Sequence, residues 1–589
     1  MSVNSFKDDE QTSDIKKSVT VLRLLKYLLP FKKQIVLVLA IMLYCVFVSI
    51  INPLFIEAAV NTYIINKDFT GLAKLIAIAL AFNIVWVIFV KLRMSLMAKV
   101  CNNAIKNIRE ELYEHLQLLD FKFFDSKPTG KILSRVIGDV NSLKDILSNF
   151  VLVLIPDGLL LITIIVVMMI KDYRLALPAM AGFPILLFSI NFLENRCHRT
   201  WQIVRKKSSN LSAYVHEAIA GIRVVKSFSA EDETQETFDV LIKEHKDSFI
   251  KAVRINDFYN PCIEICWAIS TFAMYFVGIK VVGISIDSVG TLLAFGSYIG
   301  LFWQPISSLG DMYNKLITNI AAAERVFEVI DTEPMIMDSD TVSVMPEIEG
   351  QVEFDNVTFS YEDGVKVLNN VSFTVKPGEM IALVGPTGAG KSTIVNLISR
   401  FYDVESGTVK IDGYDVKDVS INSLRNQMGI MTQDNFLFSG TIKENIRYGN
   451  LTATDEDIIK AAKIVNAHDF IMKLEKGYDT ELTERGSGLS AGQRQLIAFA
   501  RTILSNPKIL ILDEATSSID TKNELMVQQG IAAILKDRTS FVIAHRLSTI
   551  RNADKIFVVQ DGIIAESGSH EELLKEKGIY YNLSTAQAV

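Results

Sequence analysis

The chain has 589 residues, of which 49% are hydrophobic and 22% are charged, and its mean hydropathy is +0.28. This length is too great for one compact domain, and the composition excludes a disordered, collagenous or coiled-coil protein. The net charge of −7 gives no support to nucleic-acid binding, and five scattered cysteines do not form a disulfide framework. The apolar residues form long runs with few charges before residue 320 and an ordinary soluble pattern after it. The sequence therefore predicts a membrane protein with a soluble part.

Six apolar runs are long enough to be membrane helices, each of which needs about 20 residues to cross the hydrocarbon core. They lie near residues 35–56, 75–92, 150–170, 175–193, 258–280 and 288–310. The polar N-terminus lacks the apolar core of a cleaved signal peptide. Leu22–Leu29, with Arg23 and Lys26 interleaved, is typical of an amphipathic segment at the membrane interface.

The positions of Lys and Arg predict the orientation of these helices. The connections between the second and third spans and between the fourth and fifth are long and basic, which places them in the cytosol with both termini. Residues 98–119 and 204–238 have helical spacing, so we expect the membrane helices to continue into the cytosol, with a break at Pro128 and Gly130. We predict a transmembrane domain over 1–330, a linker over 331–350 and a soluble domain over 351–589.

The soluble part begins with VEFDNVTFSY, whose alternation predicts a strand. A buried-strand run, Met380–Val384, leads directly into Gly385-Pro-Thr-Gly-Ala-Gly-Lys-Ser392, and a helix with one apolar face follows. This is the phosphate-loop pattern G-x-x-x-x-G-K-[ST] in its strand–loop–helix setting. Glycines allow backbone N–H groups to point at a phosphate, Lys391 would reach the β- and γ-phosphates, and the Ser392 hydroxyl would hold Mg²⁺. The alternative, a glycine-rich turn that binds nothing, does not explain the flanking strand and helix.

A second buried run, Ile509–Leu512, ends in two acids. Asp513 is expected to meet the magnesium, usually through water, and Glu514 to polarise the attacking water as general base. Such acids can also simply cap a following helix, but the phosphate loop upstream favours the catalytic interpretation.

The segment Leu489-Ser490-Ala491-Gly492-Gln493-Arg494-Gln495 resembles the signature sequence of ATP-binding cassette (ABC) proteins. Further segments match that family in order: Tyr361 at the adenine-stacking position, Gln433 in the Q-loop, Glu484-Arg485-Gly486, the D-loop Ser517–Asp520, the switch histidine His545, and DGIIAESGSHEEL. In the membrane half, FFDSKPTGKILSRVIGDV and GIRVVKSFSAE resemble the two coupling regions of six-span exporters. The resemblance covers nearly the whole chain.

The resemblance implies an exporter half-transporter, in which a membrane domain of six helices extended into the cytosol precedes an α/β phosphate-loop ATPase domain with a helical subdomain. Two such halves would enclose two ATP molecules, each between one chain's phosphate loop and the other chain's signature. The implied ATP contacts are Tyr361, Gly385, Pro386, Thr387, Gly388, Ala389, Gly390, Lys391, Ser392, Thr393, Ser490, Gly492 and Gln493. The implied magnesium contacts are Ser392, Gln433 and Asp513, and the implied catalytic residues are Glu514, His545 and Gln433.

Other functional classes fit the sequence less well. Membrane spans exclude a soluble cassette ATPase of DNA repair or translation, and importers usually keep spans and ATPase on separate chains. A peptide exporter that processes its cargo would need a peptidase domain before the first span. We therefore expect ATP-driven export from the cytosol or inner leaflet across the cell membrane. The cargo is expected to be drug-like or lipid-like and amphiphilic; a peptide or a dedicated lipid flippase is the alternative.

Two questions stay open at the level of sequence. Asp157 and Glu264 interrupt apolar spans, where acids usually face a water-filled cavity and would favour cationic cargo; each could instead lie near a basic partner at the end of its span. The resemblance requires a second half-transporter as partner. Membrane lipids and a small amphiphilic substrate are the other expected partners. Because Ala491 stands where the family pattern has Gly, both a homodimer and a heterodimer are possible.

Overall fold

The computed structural model describes residues 17–283, 289–338, 342–361, 364–431, 436–483, 486–513, 521–543 and 550–587. Only the backbone is described at 17–18, 190–191, 194–195, 307, 309–318, 521–524 and 586–587. The chain forms two compact units. The helical unit comprises Met1–Gln117 and Gly130–Asp331, and the sheet unit comprises Leu118–Thr129 and Thr332–Val589.

The first twelve described helices are, in chain order, α1 Lys17–Lys26, α2 Lys32–Ala58, α3 Phe69–Leu118, α4 Phe121–Ser126, α5 Thr129–Ser134, α6 Val140–Asn149, α7 Ile155–Ala179, α8 Gly182–Ala220, α9 Ile222–Ser227, α10 Glu231–Asn256, α11 Tyr259–Val277 and α12 Val289–Ile330. All except α4 belong to the helical unit. Within the described ranges, π-helical turns extend or join them at Ala59–Ile64, Arg135–Asp139, Phe150–Leu154 and Gly278–Val282.

Five helical stretches of the described chain are long and apolar enough to cross a membrane. They are Leu29–Ile64, Phe69–Leu118, Thr129–Ala179, Glu231–Val282 and Val289–Ile306. They confirm the predicted helical membrane domain. The remaining predicted span, at 175–193, falls on the end of α7 and the start of α8, where several side chains lie outside the described residues.

The structure interrupts the helix between the third and fourth predicted spans, because Asp172 within α7 has φ −158° and ψ 104°, outside the helical region. Residues 173–179 return to helix, and a second turn, which the sequence did not predict, separates them from α8 at Gly182. The Gly182 N–H donates to the Ser270 hydroxyl at 3.0 Å, and a Cβ at Gly182 would lie 2.2 Å from the Cys266 carbonyl oxygen. This close approach to α11 fixes the turn at Met180 and Ala181, which hydropathy alone does not reveal.

The predicted extension of the membrane helices is confirmed by their lengths. Helix α3 has 50 residues, and at 1.5 Å per residue it is about 75 Å long, against a hydrocarbon core of about 30 Å. The second extension is less regular than predicted. Helix α8 ends at Ala220, the short helix α9 follows, and α10 begins at Glu231 after Ser229, whose φ is 50°.

Helix α1 has the two faces predicted for an interfacial segment. Leu24 is buried in the helical unit, whereas Val19 and Leu22 of the same helix are more than half exposed. The guanidinium of Arg23 pairs with Asp331 at 2.5 Å, which joins α1 to the end of α12.

Several polar groups within the apolar helices are paired with one another, which offsets the cost of burying charge. Lys171 of α7 forms an ion pair with Glu57 of α2, and the Thr291 hydroxyl of α12 donates to the same carboxylate at 2.8 Å. The Ser308 hydroxyl of α12 donates to Asp157 of α7 at 2.5 Å. These contacts join α2, α7 and α12 within the helical unit.

The described part of the sheet unit contains twelve strands in three sheets. They are β1 Val352–Ser360, β2 Lys366–Val375, β3 Met380–Val384, β4 Ser406–Ile411, β5 Tyr414–Asp415, β6 Met428–Met431, β7 Gly440–Thr441, β8 Glu481–Leu482, β9 Ile509–Asp513, β10 Thr539–Ile543, β11 Lys555–Gln560 and β12 Ile563–Gly568. The six-stranded sheet has the order β12-β11-β3-β10-β9-β6, with β12 antiparallel to β11 and the other pairs parallel. An antiparallel sheet of order β2-β1-β4-β5 lies in the same unit and contains the predicted strand at residue 352.

Nine helices are described in the part of the sheet unit that follows residue 332. They are α13 Lys391–Ile398, α14 Ile421–Arg425, α15 Ile442–Arg447, α16 Asp455–Ile464, α17 His468–Ile471, α18 Ala491–Ser505, α19 Thr521–Leu535, α20 His570–Glu576 and α21 Ile579–Gln587.

The parallel strands are buried on both faces, which explains their unbroken apolar sequences. In β9, Ile509 and Ile511 belong to one hydrophobic core while Leu510 and Leu512 belong to the other. Alternate side chains of a strand point to opposite faces, so the sheet separates two cores. The core with Leu510 and Leu512 contains α18, and the core with Ile509 and Ile511 contains α13 and the antiparallel sheet. This division determines where the site residues lie.

Candidate nucleotide site

The loop between β3 and α13 adopts a conformation that requires glycine. Gly385 has φ 146°, and a Cβ there would lie 2.1 Å from the Val559 carbonyl oxygen. Gly390 has φ 108°, and its Cβ would lie 2.8 Å from the Leu368 side chain. At both positions the positive φ is unfavourable for an L residue, and a Cβ atom would clash with a neighbouring residue. The two glycines therefore hold the loop against β11 and β2.

The loop presents its tip to solvent and buries its base. Pro386, Thr387 and Gly388 are exposed, whereas Ala389 and Gly390 are buried. Ser392 is exposed on the first turn of α13 and Thr393 is buried. The start of a helix carries partial positive charge and N–H groups without helical partners, which suit a phosphate. This set of residues, Gly385–Thr393 with Tyr361, is called the phosphate-loop surface below.

Lys391 is buried to 7% relative exposure and crosses the loop. Its Nζ donates to the carbonyl oxygens of Gly385 and Pro386, both at 2.8 Å. Burial lowers the pKa of the Lys391 ammonium, and the negative charge of Asp513 acts in the opposite direction. Lys391 and the acid that ends β9 thus share one electrostatic environment.

The strand register explains why that acid is close to the loop. Ile543 of β10 pairs with Leu383 of β3 on one side and with Asp513 of β9 on the other. Met431 of β6 pairs with Leu512. The carboxyl ends of β3, β10, β9 and β6 consequently meet at one edge, where ligands bind in parallel α/β sheets.

The predicted catalytic residues follow three of these strands in the sequence. Gln433, Glu514 and His545 come after β6, β9 and β10, and all three lie outside the described residues. Glu484, Arg485 and the D-loop Ser517–Asp520 lie outside them as well. Their roles stay predictions.

Tyr361 follows β1 and is tied to α13. Its hydroxyl lies 3.2 Å from the Thr393 hydroxyl and 3.4 Å from the Asn396 amide nitrogen. Its ring meets that of Phe359 edge-on at 4.9 Å and that of Tyr402 at 5.0 Å. The predicted adenine-stacking residue is therefore joined to the helix that begins at the phosphate loop.

The signature residues start α18 in a complete capping box. The Ser490 hydroxyl accepts from the Gln493 N–H at 3.2 Å, and the Gln493 side chain accepts from the Ser490 N–H at 2.9 Å. Ser490 is exposed and Gly492 is buried. Arg494 donates to the Leu489 carbonyl at 2.7 Å, which holds the chain before the helix. Gly486–Gln493 is called the signature surface below.

The structure divides the predicted ATP contacts into these two surfaces. Ile394 and Leu397 anchor α13 in the core that contains the antiparallel sheet, whereas Leu489 and Leu496 anchor α18 in the other core. The helix that carries each surface is therefore packed in a different hydrophobic core.

Arg501 of α18 is a further residue of the site region that the sequence did not reveal. It donates to the Asn445 carbonyl at 2.9 Å, to the Asn445 side chain at 3.0 Å and to the Phe436 carbonyl at 3.1 Å. Burial lowers the pKa of this guanidinium. Arg501 thereby fixes the segment that follows the Q-loop, and no local motif distinguishes it from an ordinary helical arginine.

The described residues of the two surfaces have the chemistry needed to bind a nucleoside triphosphate. The glycine cradle, the exposed loop tip, the buried cation and the tyrosine near α13 supply phosphate and base contacts. The Ser392 hydroxyl and the Asp513 carboxylate are oxygen donors of the kind that Mg²⁺ prefers. Among the described residues, no cluster of three or more His, Cys, Asp or Glu side chains could hold a metal ion.

Comparison with known proteins agrees with this geometry. The family profile described as the ABC transporter transmembrane region matches residues 35–306, and the profile described as ABC transporter matches residues 368–517. The chain belongs to the ABC transporter family. It is an ATP-hydrolysing transporter with the membrane and ATPase regions fused in one chain, as in exporters.

Three relatives show how far the similarity extends. The chain is 41% identical over 570 residues to the uncharacterized ABC transporter ATP-binding protein YknV of Bacillus subtilis, covering 96% of this chain and 94% of that one. It is 36% identical to a putative multidrug export ATP-binding/permease protein of Staphylococcus aureus, covering 96% and 99%. It is 40% identical to an ATP-dependent lipid A-core flippase of Syntrophus aciditrophicus, covering 84% and 82%.

The fold is also similar to that of a solved transporter. A bacterial Atm1-family ABC exporter with ATP bound superposes with a TM-score of 0.80 at 29% identity, covering 95% of this chain and 98% of the other. The ABC exporter fold is thereby shown, and with it ATP-driven export and assembly with a second half-transporter.

Proposed function

We propose that two copies of this chain hydrolyse ATP at two shared sites and export an amphiphilic cation. The observation that supports the ATP chemistry best is the edge at which four strands end beside the phosphate loop, with Lys391 and Asp513 in one electrostatic environment. The predicted general base Glu514 follows Asp513 directly in the sequence.

Each described side chain has a distinct task in this proposal. Lys391 exchanges its two carbonyl contacts for phosphate oxygens, and Tyr361 stacks on adenine. Ser392 and Asp513 hold Mg²⁺, which neutralises phosphate charge when it is bound. Ser490 and Gly492 of the second copy complete the site from the opposite side.

A homodimer is consistent with the geometry around Ala491. This residue is the first of α18, directly after the Ser490 cap, and the capping box is complete. A helical first turn suits alanine, so the methyl group does not distort the signature surface. We therefore place a second copy of this chain, rather than a different one, across the site.

The cargo proposal depends on Asp157. It is half-buried in the apolar helix α7, and it accepts a hydrogen bond from the neutral hydroxyl of Ser308. Glu264 of α11 is exposed beside Ile265, whose relative exposure is 59%. Ionisable residues within membrane helices mark substrate pathways because they are costly elsewhere.

Acids in such a pathway favour amphiphilic cations over acidic lipids. The multidrug export relative agrees with this class, and the flippase relative keeps lipids as the alternative.

Export of a cationic dye tests the cargo. Asp157→Asn with Glu264→Gln should lower ATP-driven ethidium transport in proteoliposomes severalfold while basal ATPase activity persists. Asp145→Asn, an exposed carboxylate of α6, is the control. The wild-type ATPase rate in nanodiscs, measured with cationic drugs, lipids and peptides, separates the cargo classes. Stimulation by lipids or peptides alone, or undiminished ethidium transport by the double variant, would contradict the cationic cargo.

The domain layout and location belong to the same proposal. We keep the predicted transmembrane domain 1–330, linker 331–350 and ATPase domain 351–589, which the change of compact unit after Asp331 supports, while Leu118–Thr129 within the first belongs to the sheet unit. We place the helices in the cell membrane, with the ATPase domain and both termini in the cytosol, because the two long connections are the basic ones.

A further inference from the structure

Helix α4 lies in the sheet unit, whereas α3 up to Gln117 and α5 from Gly130 belong to the helical unit. The chain enters it directly from α3 and leaves it directly for α5. It belongs to the segment that resembles an exporter coupling region. How α4 is attached to the sheet unit therefore bears on how nucleotide binding reaches the membrane helices.

Asp120 caps the N-terminus of α4. One carboxylate oxygen caps the helix by accepting from the Phe123 N–H at 3.2 Å. The other accepts from the Met335 N–H at 2.9 Å, at the start of the predicted linker. One side chain thus ties the helix to the linker.

Aromatic packing joins Phe121 of α4 to Phe401, which follows α13. The Phe121 ring lies 4.3 Å from the Phe401 ring, and the guanidinium of Arg425 covers Phe401 at 4.8 Å. Arg425 also donates to the carbonyls of Ser399 and Arg400, at 3.1 and 2.6 Å. The turn after α13, which carries Phe401 and Tyr402, is therefore rigid.

The last turn of α4 contacts Tyr402. The Tyr402 hydroxyl donates a hydrogen bond to the Asp125 carboxylate, and Tyr402 is buried to 7% relative exposure. Burial and the carboxylate raise the pKa of Tyr402 well above its usual range, so the hydroxyl keeps its proton. The bond is a charge-assisted one, and such bonds are stronger than neutral ones.

The ring of the same tyrosine contacts the proposed adenine position. Tyr402 and Tyr361 meet at 5.0 Å with an interplanar angle of 90°, a favourable edge-to-face geometry. Phe359 packs against both rings, at 4.9 Å from Tyr361 and 5.6 Å from Tyr402. A displacement of the Tyr361 ring therefore has to be accommodated by Tyr402.

We propose that Tyr402 is a positioning residue that couples base stacking on Tyr361 to helix α4 through Asp125. The coupling uses the base of the nucleotide rather than its phosphates. It rests on the adenine-stacking role proposed above for Tyr361. By linkage, if the nucleotide biases α4, then loosening α4 from Tyr402 must weaken nucleotide binding by the same factor.

The test compares variants of the full-length protein in nanodiscs. Tyr402→Phe keeps the ring and removes the hydrogen bond, and Asp125→Asn removes the carboxylate charge. Each should raise the KM for ATP about threefold to tenfold, as expected for one hydrogen bond, with a smaller change in kcat. The double variant should match the single variants, because both remove the same bond. Tyr414→Phe, on an exposed tyrosine of β5, is the matched control.

Two readouts separate coupling from a merely structural role. With CTP, whose smaller base stacks less, the effect of Tyr402→Phe on KM should shrink. In hydrogen exchange, the non-hydrolysable analogue AMP-PNP should protect the amides of 121–126 in the wild type and in Tyr414→Phe, but not in Tyr402→Phe. A structural role would alter protection equally with and without the analogue, and that result would overturn the proposal.

The outcomes also separate this inference from the site on which it depends. Tyr361→Ala should raise the KM for ATP. If it does not, the adenine position itself is wrong. If Tyr361→Ala raises the KM while Tyr402→Phe and Asp125→Asn leave both KM and protection unchanged, only the coupling through Tyr402 is wrong.

Discussion

The phosphate-loop surface and the signature surface both lie at the start of a helix, but they are built in different ways. The phosphate loop depends on glycines with positive φ that fit against β11 and β2, and it contains a buried cation, Lys391. The signature surface depends on a capping box, and its leading side chain, Ser490, is exposed. The first surface is shaped by its neighbours, and the second is complete within one helix turn.

This difference indicates how the work is divided. The phosphate-loop surface stands at the edge where Asp513 ends β9, so in the proposed site it supplies the charged groups for phosphate and metal. The signature surface offers a hydroxyl and a helix start, which can contact phosphate but cannot activate water. In the proposed function, the two surfaces form a catalytic site only when the phosphate-loop surface of one copy faces the signature surface of the other.

The largest effect is expected at the chemistry of the phosphate-loop surface. Glu514→Gln should nearly abolish turnover and leave ATP binding and closure of the dimer intact, because the amide cannot accept a proton from water. Lys391→Ala should instead weaken nucleotide binding itself. Steady-state hydrolysis measured beside nucleotide affinity distinguishes the two. Hydrolysis at the wild-type rate by Glu514→Gln would show that another group is the base.

The glycines of the loop provide a graded test of its shape. Gly385→Ala should abolish nucleotide binding and lower the melting temperature, because the new Cβ would lie 2.1 Å from the Val559 carbonyl oxygen. Gly388→Ala should be milder, since nothing lies within 4 Å of its Cβ and the cost is that of its positive φ alone, about 1 kcal/mol. Nucleotide affinity and thermal unfolding of both variants provide the measurement. Equal losses of affinity and stability in the two variants would mean that the positive φ, and not the steric clash of the new Cβ, determines which residues the loop tolerates.

The signature surface is expected to respond in a different way. Ser490→Ala removes the cap and should lower stability by about 1 kcal/mol. Ser490→Asp keeps a capping oxygen but adds negative charge, so the fold should stay stable while the ATPase rate falls tenfold or more. Thermal unfolding and hydrolysis are measured on both proteins. Normal hydrolysis by the Ser490→Asp variant would show that Ser490 serves only as a cap.

Local patterns in the sequence predicted much of the fold and of this site. The phosphate loop, the buried strands and the signature helix were evident because their glycines, apolar runs and capping residues act over a few positions. The long helices were evident from hydropathy, and the structure confirms a membrane domain of extended helices.

The remaining features depend on contacts between distant residues. The end of α7 at Ala179 follows from the close approach of Gly182 to Cys266, and no window of sequence around residue 180 contains that information. Tyr402 and Asp125 are 277 positions apart, and each alone is an ordinary polar residue. Arg501 likewise gains its role from Asn445 and Phe436.

The most direct test of the shared site uses two damaged chains together. Lys391→Ala damages the phosphate-loop surface and Ser490→Asp damages the signature surface, so each homodimer should be inactive. A mixed dimer, isolated with two affinity tags, has both lesions in one site and leaves the other intact. We predict that its ATPase rate exceeds that of either homodimer severalfold, because one of its two sites is intact. A mixed dimer as inactive as its parents, or a wild-type chain that hydrolyses no ATP without a different partner, would contradict the account.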